Sequence, residues 1–414
     1  MSNIIYDYII IGGGISGLYS AYKIKEWSPN STFLILEKNK KIGGRLGNYT
    51  FYGVNVVTGA GIGRKKKDKL LLELVNKLGI KTHEFNINYN YSDKIDNKVD
   101  ILNIISILKK KYNGEVESFK NFATKILGEE LYNNFLISSG YSDYENSDIY
   151  DVLYYYGMDD NKCCSTGISI PWKELINKLA IIVGLKNIKK SMDVVNIEHE
   201  NEHENDHSHD HKYKDNKYQI ITKNNNKFYS KKIIIASTIN TIKSLLPKYN
   251  IYNDIHSQHF IRIYGKFDKK SSIIIKEYVN KNTIVPTILQ KIIPIDQDKG
   301  VYMISYSDNK NATKLNKISE NNEFNRDKLC KIIEKSLGIK KDSLKLIGIK
   351  SFYWDIGTHY YLPLKNIYKN RADFINKVQH PEKDILVVGE AVAFNQGWTE
   401  GALESIENTL PIFI

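Results

Sequence analysis

A strand, a glycine-rich turn, a helix and a second strand follow one another over residues 6–37. Another buried strand and glycine-bearing turn stand near the C-terminus at 385–389, and the middle of the chain switches from helical to two-residue periodicity. Together these predict an α/β fold, a Rossmann-like domain interrupted by an inserted α+β domain. With 414 residues, 42% of them hydrophobic, the chain can bury a core of this kind, and eight prolines exclude a collagenous or proline-rich rod.

Residues 6–12 are apolar and end in glycines, residues 18–24 resume with helical spacing, and the apolar run 33–36 stops at Glu37. That is a parallel βαβ unit. Over 69–78 the apolar residues Leu70, Leu71, Leu74, Val75 and Leu78 recur at three and four, and Gly79 ends the pattern as a helix C-cap does. Further helices are expected at 101–111, 117–137 and 171–183. From Asp193 the period becomes that of strands, at 194–197, 218–222 and 233–236, and strand-like segments recur from Phe260 to about Ile347 around one helix at 326–336. A strand at 385–388, a turn and a helix over 398–409 fold back onto the N-terminal unit. The chain thus divides into a discontinuous domain of 1–60, 165–250 and 379–414 and an inserted domain of 61–164 and 251–378. Between the strands at 194–197 and 218–222, a polar run carries His199, His203, His207, His209 and His211. Imidazoles suit Zn2+ or Ni2+, but nothing orients these rings, so a low-complexity hairpin loop and no metal site are expected.

The net charge is +12, yet only five of the 59 basic residues are arginine: Arg45, Arg64, Arg262, Arg326 and Arg371. Abundant Lys, Asn, Ile and Tyr with scarce Arg and Pro is the bias an A/T-rich genome imposes. Nucleic-acid binding would call for arginine-rich patches with interleaved aromatics, which the chain lacks. A lysine-coated surface with no nucleic-acid partner follows. Cys163, Cys164 and Cys330 cannot make a disulfide framework, and the adjacent pair would close only with strain, so a reducing compartment is expected. The N-terminus has no charged leader or cleavage site, and no run approaches the roughly 20 apolar residues a membrane helix needs. A soluble cytoplasmic protein without a membrane partner is expected.

The residues Asp7-Tyr8-Ile9-Ile10-Ile11-Gly12-x-Gly14-x-x-Gly17 form a dinucleotide fingerprint placed between a strand and a helix. Gly12 permits the tight turn, Gly14 lets the backbone approach a pyrophosphate, and Gly17 lets the helix pack on the strand. Ile15 and Ser16 open the helix, whose free N–H groups suit phosphate. Glu37, at the end of the second strand, suits a ribose diol.

From Glu37 the sequence continues through Lys38 into Ile42-Gly43-Gly44-Arg45, then Val56-Val57-Thr58-Gly59-Ala60-Gly61. Near the end it carries Val388-Gly389-Glu390-Ala391 and Gln396-Gly397-Trp398-Thr399-Glu400-Gly401. In these segments it resembles the flavin-dependent amine oxidase superfamily, which includes monoamine, polyamine and L-amino-acid oxidases. The resemblance implies a GR2-type FAD-binding domain. Its cofactor contacts would come from the fingerprint, Glu37, Lys38, Gly44, Arg45, Gly59, Ala60, Gly61, Val194, Gly389, Glu390, Gly397, Trp398 and Thr399. Trp398 would be one wall of an aromatic cage, with the other supplied from the turn Trp354-Asp355-Ile356-Gly357-Thr358-His359-Tyr360 by His359 or Tyr360. That turn has no cysteine for a flavin tether, so FAD would be held non-covalently. Arg262 stands where the family carries a lysine near flavin N5, unless the register slips and Lys266 fills that place. Arg64 is either a clamp for a substrate carboxylate or part of a basic solvated face, and Cys163 and Cys164 are expected to be structural thiols. The implied activity is oxidation of the C–N bond of an amine or amino acid, by hydride transfer to flavin N5, with O2 reduced to H2O2. The alternatives are a dehydrogenase, desaturase or renalase-like enzyme with another acceptor, which Arg262 favours, and a structural flavoprotein with a decayed site.

Overall fold

In the computed structural model, which describes residues 4–156, 165–199 and 218–414, one sheet is assembled from three distant parts of the chain. Cys163, Cys164 and the histidines from His203 to His211 lie outside the described residues. The sheet has seven strands, in the order Val194–His199, Tyr218–Thr222, Lys227–Ile235, Ile5–Ile11, Phe33–Glu37 and Ile188–Lys190, with Ile385–Val387 pairing Lys227–Ile235. Ile9, Ile10 and Ile11 run parallel to Ile233, Ile234 and Ile235, which run parallel in turn to Ile385, Leu386 and Val387. Such unbroken apolar runs belong to a parallel sheet covered on both faces. Alternation decides the face. Ile10, Ile234 and Leu386 pack with Leu18, Leu175 and Leu403 from the helices Ile15–Trp27, Trp172–Val183 and Thr399–Glu407. Ile9, Ile233 and Val387 face Ile242, Tyr252 and Phe374 on the other side. Each such side chain contributes about 1.5–3 kcal/mol of burial.

A second, six-stranded sheet orders Leu346–Tyr361, Ile255–Phe267, Val301–Asp308, Lys291–Asp296, Asn282–Ile284 and Tyr89–Tyr91. All its strands come from residues 61–164 and 251–378. The hairpin of Asn48–Phe51 and Val54–Val57 lies against it through Phe51, Val54 and Val56, which meet Tyr264, Val301 and Met303. A helical cluster, Ile101–Lys111, Phe119–Leu127, Glu129–Ser139 and Ile149–Tyr154, has its own core of Leu108, Phe122, Phe135 and Tyr144.

Two expectations need correction. The helix over 117–137 is two helices, broken at Gly128, whose φ of +78° ends the first. The region read as strands around a single helix also holds Lys269–Tyr278 and Asn309–Asn316. Asp268 caps the former by accepting from the Ser271 N–H at 2.7 Å, a local signal that outweighs the β-propensity of Ile273, Ile274 and Ile275. No helix among the described residues is long and apolar enough to cross a membrane.

Candidate active site

Both large sheets line one cavity of about 510 Å³. Its first end is made by the N-terminal βαβ unit. Gly12, at φ +114°, turns where a Cβ would stand 2.3 Å from the Ala236 carbonyl oxygen, and a Cβ on Gly17 would stand 1.9 Å from that of Gly12. Only glycine allows this turn and the close packing of the helix upon it. Gly14 opens on empty space, and no side chain caps the helix that begins after it. The first helical turn, with Ile15 and Ser16, therefore offers N–H groups and a positive dipole end to the cavity.

Glu37 is buried at the end of its strand. Its Oε2 accepts from the Gly13 N–H at 2.7 Å, and its Oε1 accepts from the Asn39 N–H at 2.7 Å and Nδ2 at 2.8 Å. This fixes the carboxylate and leaves Oε2 with capacity for a hydroxyl group. Lys38 and Val194 line the same end.

The second end converges on Glu390, which is 5% exposed. Its Oε1 accepts from the N–H groups of His359 at 2.9 Å and Gly397 at 2.7 Å, and its Oε2 accepts from His359 Nδ1 at 2.6 Å and Arg45 Nη1 at 3.0 Å. Burial by itself would raise this carboxyl, but the neighbouring His359 and Arg45 and the hydrogen bonds from the His359 ring and N–H reverse that and hold it well below the usual range. Arg45 Nη1 also donates to the Gly357 carbonyl at 2.7 Å. That carbonyl is available because pairing skips from Phe260–Trp354 to Gln258–Thr358, so that 355–357 bulge. A Cβ on Gly357 would meet Phe260 Cβ at 2.3 Å.

The walls are aromatic: Trp398, Trp354, Phe260 and Tyr306, with Arg262 among them. Trp398 packs edge-to-face on Trp172 at 6.0 Å, and Trp172 Nε1 donates to the Gly61 carbonyl at 2.9 Å. Trp354 Nε1 donates to the Thr58 carbonyl at 2.9 Å.

Of the residues singled out in the sequence, Gly12, Gly14, Ile15, Ser16, Glu37, Lys38, Gly44, Arg45, Gly59, Ala60, Val194, Arg262, Gly389, Glu390, Gly397, Trp398 and Thr399 all line this cavity. Gly17, Gly61, Arg64, His359 and Tyr360 do not. Gly17 serves helix packing, and Gly61 acts through Trp172. Arg64 is drawn away by Asp68, at 2.9 Å, with its guanidinium over Trp398 at 5.5 Å. His359 is fully enclosed between Glu390 and the Ile239 N–H, which donates to its Nε2 at 3.2 Å. Tyr360 lies beyond the cavity, its ring 5.7 Å from His256. Neither His359 nor Tyr360, the two residues expected to face Trp398, lines the cavity. Lys266 donates to the Lys299 carbonyl at the surface, so of these two cations it is Arg262 that lines the cavity. Phe260 and Tyr306 were missed. Phe260 shares the strand face of Arg262 two residues away, the one signal available, whereas Tyr306 pairs with Arg262 only through the sheet register.

The donor set fits a long dinucleotide such as FAD. The open cradle at Gly14 and the uncapped helix start would take the pyrophosphate, Glu37 and Val194 the adenosine end, and Glu390, Gly397 and Thr399 the ring end.

A model described as an NAD(P)-binding Rossmann-like domain matches residues 10–78. The flavin-containing amine oxidase A of Equus caballus is 34% identical over 88 residues, 21% of this chain and 16% of that protein. Its Sus scrofa counterpart is 38% identical over 86 residues, 20% of this chain and 15% of that one. The alignments thus span 15–16% of the length of these curated relatives. A solved putrescine oxidase variant, made in a redesign of cofactor binding, superposes with a TM-score of 0.75 over 99% of both chains at 13% identity, a likeness of fold. The chain is thus similar to flavin-containing amine oxidases in the sequence of its nucleotide-binding segment, and over its full length it shares the fold of putrescine oxidase.

Proposed function

We propose that the protein is an FAD-dependent oxidoreductase that oxidises the C–N bond of an amine or amino acid to an imine, which water then hydrolyses. The observation that carries this reading is the single cavity that joins a dinucleotide cradle to an aromatic chamber. Residues 1–60, 165–250 and 379–414 would form the FAD domain, and 61–164 and 251–378 the substrate domain. When bound, FAD supplies a two-electron acceptor at its ring. The protein's own residues bind and orient. Glu37 would hold a ribose, and the first turn of Ile15–Trp27 the phosphates. Arg45, steadied by Glu390 and Gly357 through Nη1, keeps Nε and Nη2 for an anion. Trp398, Trp354, Phe260 and Tyr306 exclude water and position the substrate carbon. The segment 357–359 is Gly-Thr-His, so attachment would be non-covalent.

The FAD-loaded protein should lose its yellow colour on anaerobic addition of a substrate amine or amino acid. Return of colour in air, with H2O2 formed, identifies an oxidase. A second reading, a dehydrogenase using another acceptor, is favoured by Arg262, which keeps a fixed charge and cannot shed a proton; colour lost and not regained in air would establish it. Absence of flavin from the denatured protein would refute both.

A further inference from the structure

Four of the five arginines have evident partners. Arg45 pairs with Glu390 at 3.0 Å, Arg64 with Asp68 at 2.9 Å, Arg371 with Asp151 at 2.7 Å and Asp148 at 3.2 Å, and Arg326 lies near the surface against Asn321. Arg262 differs. It is 3% exposed, lines the cavity, and pairs with no carboxylate among the described residues. Its Nε donates to the Gly59 carbonyl at 2.7 Å, and its Nη1 reaches only the Met303 sulfur at 3.5 Å, a weak acceptor. The Tyr264 hydroxyl also bears on the guanidinium, and Nη2 faces a space that exists because residue 61 is glycine, where a Cβ would lie 3.2 Å away. The flat of the guanidinium lies 4.3 Å from the Tyr306 ring centre and 5.2 Å from that of Phe260. A permanently charged group withdrawn from water calls for an anion.

We infer that Arg262 anchors the carboxylate of the substrate, so that the cavity takes an amine bearing an acid, an amino acid, in preference to a diamine or a simple amine. The inference rests on the oxidoreductase reading only for the chemistry that follows binding. Nη2 and the remaining Nη1 hydrogen make the two-pronged fork that a carboxylate fits. The aromatic faces of Phe260 and Tyr306 are already occupied by the guanidinium, so they offer no cage for a second ammonium. Arg262 stands on the strand Ile255–Phe267 of the second sheet.

The test is binding of benzoate and of its uncharged isostere benzamide to the FAD-loaded protein, followed by the change in flavin absorbance. Benzoate should bind roughly 10- to 100-fold more tightly than benzamide. Arg262→Met should abolish that preference by weakening benzoate far more than benzamide, and Arg262→Lys should retain part of it. Equal binding of the two probes to the unaltered protein would overturn the inference whatever the variants do. So would an Arg262→Met protein that still prefers benzoate while its flavin reduction potential shifts, which would assign the guanidinium to the flavin. If simple amines bleach the flavin as readily as amino acids do, the inference falls and the oxidoreductase reading stands. If nothing bleaches the flavin yet the Arg262-dependent benzoate preference remains, the anchor stands and the proposed chemistry falls.

Discussion

At Glu390 four hydrogen bonds from three residues meet on one buried carboxylate, and the sign of its pH dependence follows from them. The folded protein holds this group below its ordinary value of 4.5. Between the two values the unfolded chain binds a proton that the folded protein does not. The stability it contributes is therefore complete above 4.5 and is lost as pH falls through and below it. Thermal melting followed from pH 6 downward should show a loss of stability that Glu390→Gln largely removes. At neutral pH Glu390→Ala should cost on the order of 3 kcal/mol, because it leaves Arg45 without its counter-charge, and should release FAD with it. An unchanged melting temperature would show that the network is not under tension from charge. The residues of this network were unequally legible. Arg45 and Glu390 stand in glycine-flanked motifs that declare close backbone approach. The enclosure of His359 did not show, because it depends on a carboxylate 31 positions away and on an N–H from a third segment. The aromatic wall was hidden for a similar reason: Phe260 and Tyr306 meet only through an antiparallel register that no local pattern specifies.

Helix Lys69–Lys77 shows how one element depends on another. Asp68 occupies its N-cap position, yet its carboxylate is taken by the N–H and guanidinium of Arg64, and it makes no cap. The cap comes from Glu400, in the first turn of Thr399–Glu407, whose two carboxylate oxygens accept from the N–H groups of Leu70 at 2.8 Å and Leu71 at 3.0 Å. The same helix start presents Trp398 and Thr399 to the cavity. Glu400→Ala should therefore cost about 1–2 kcal/mol, the range for a lost cap, and should weaken FAD binding although Glu400 itself does not line the cavity. Glu400→Gln, which keeps an acceptor for one N–H, should fall between. Melting temperature and FAD affinity measured on both variants decide it; affinity unmoved by either change would uncouple the cap from the site. The helix itself was plain in the sequence from its three-and-four spacing, and Gly79 marked its end. Its cap was not, since Asp68 is the residue that local rules select and the carboxylate that accepts from the helix start lies more than three hundred positions on.

At the scale of the molecule, the scarce arginines and the abundant lysines divide cleanly. Arg45 and Arg262 line the cavity, while Arg64 and Arg371 are tied to aspartates, so the +12 charge is carried to solvent by lysine. The sequence located the nucleotide-binding sheet because its strands are unbroken apolar runs beside glycine turns; it left the partner sheet vague because those strands alternate weakly and two helices lie among them. The cavity takes its lining from both sheets, from Gly12 and Glu37 on one and from Phe260, Arg262 and Tyr306 on the other. A ligand that spans it should then stabilise both together. FAD at about one hundred times its dissociation constant adds about 2.7 kcal/mol, which for a chain of this size raises the melting temperature by roughly 3–5 °C. If the sheets share the ligand, one calorimetric transition should move as a whole. Ile234→Ala, in the centre of the first sheet, should lower that same transition by removing about 2–5 kcal/mol of packing. Two transitions of which only one responds to FAD would mean that the second sheet unfolds independently of the cofactor, and that the chamber lined by Phe260 and Tyr306 is not held in place by it.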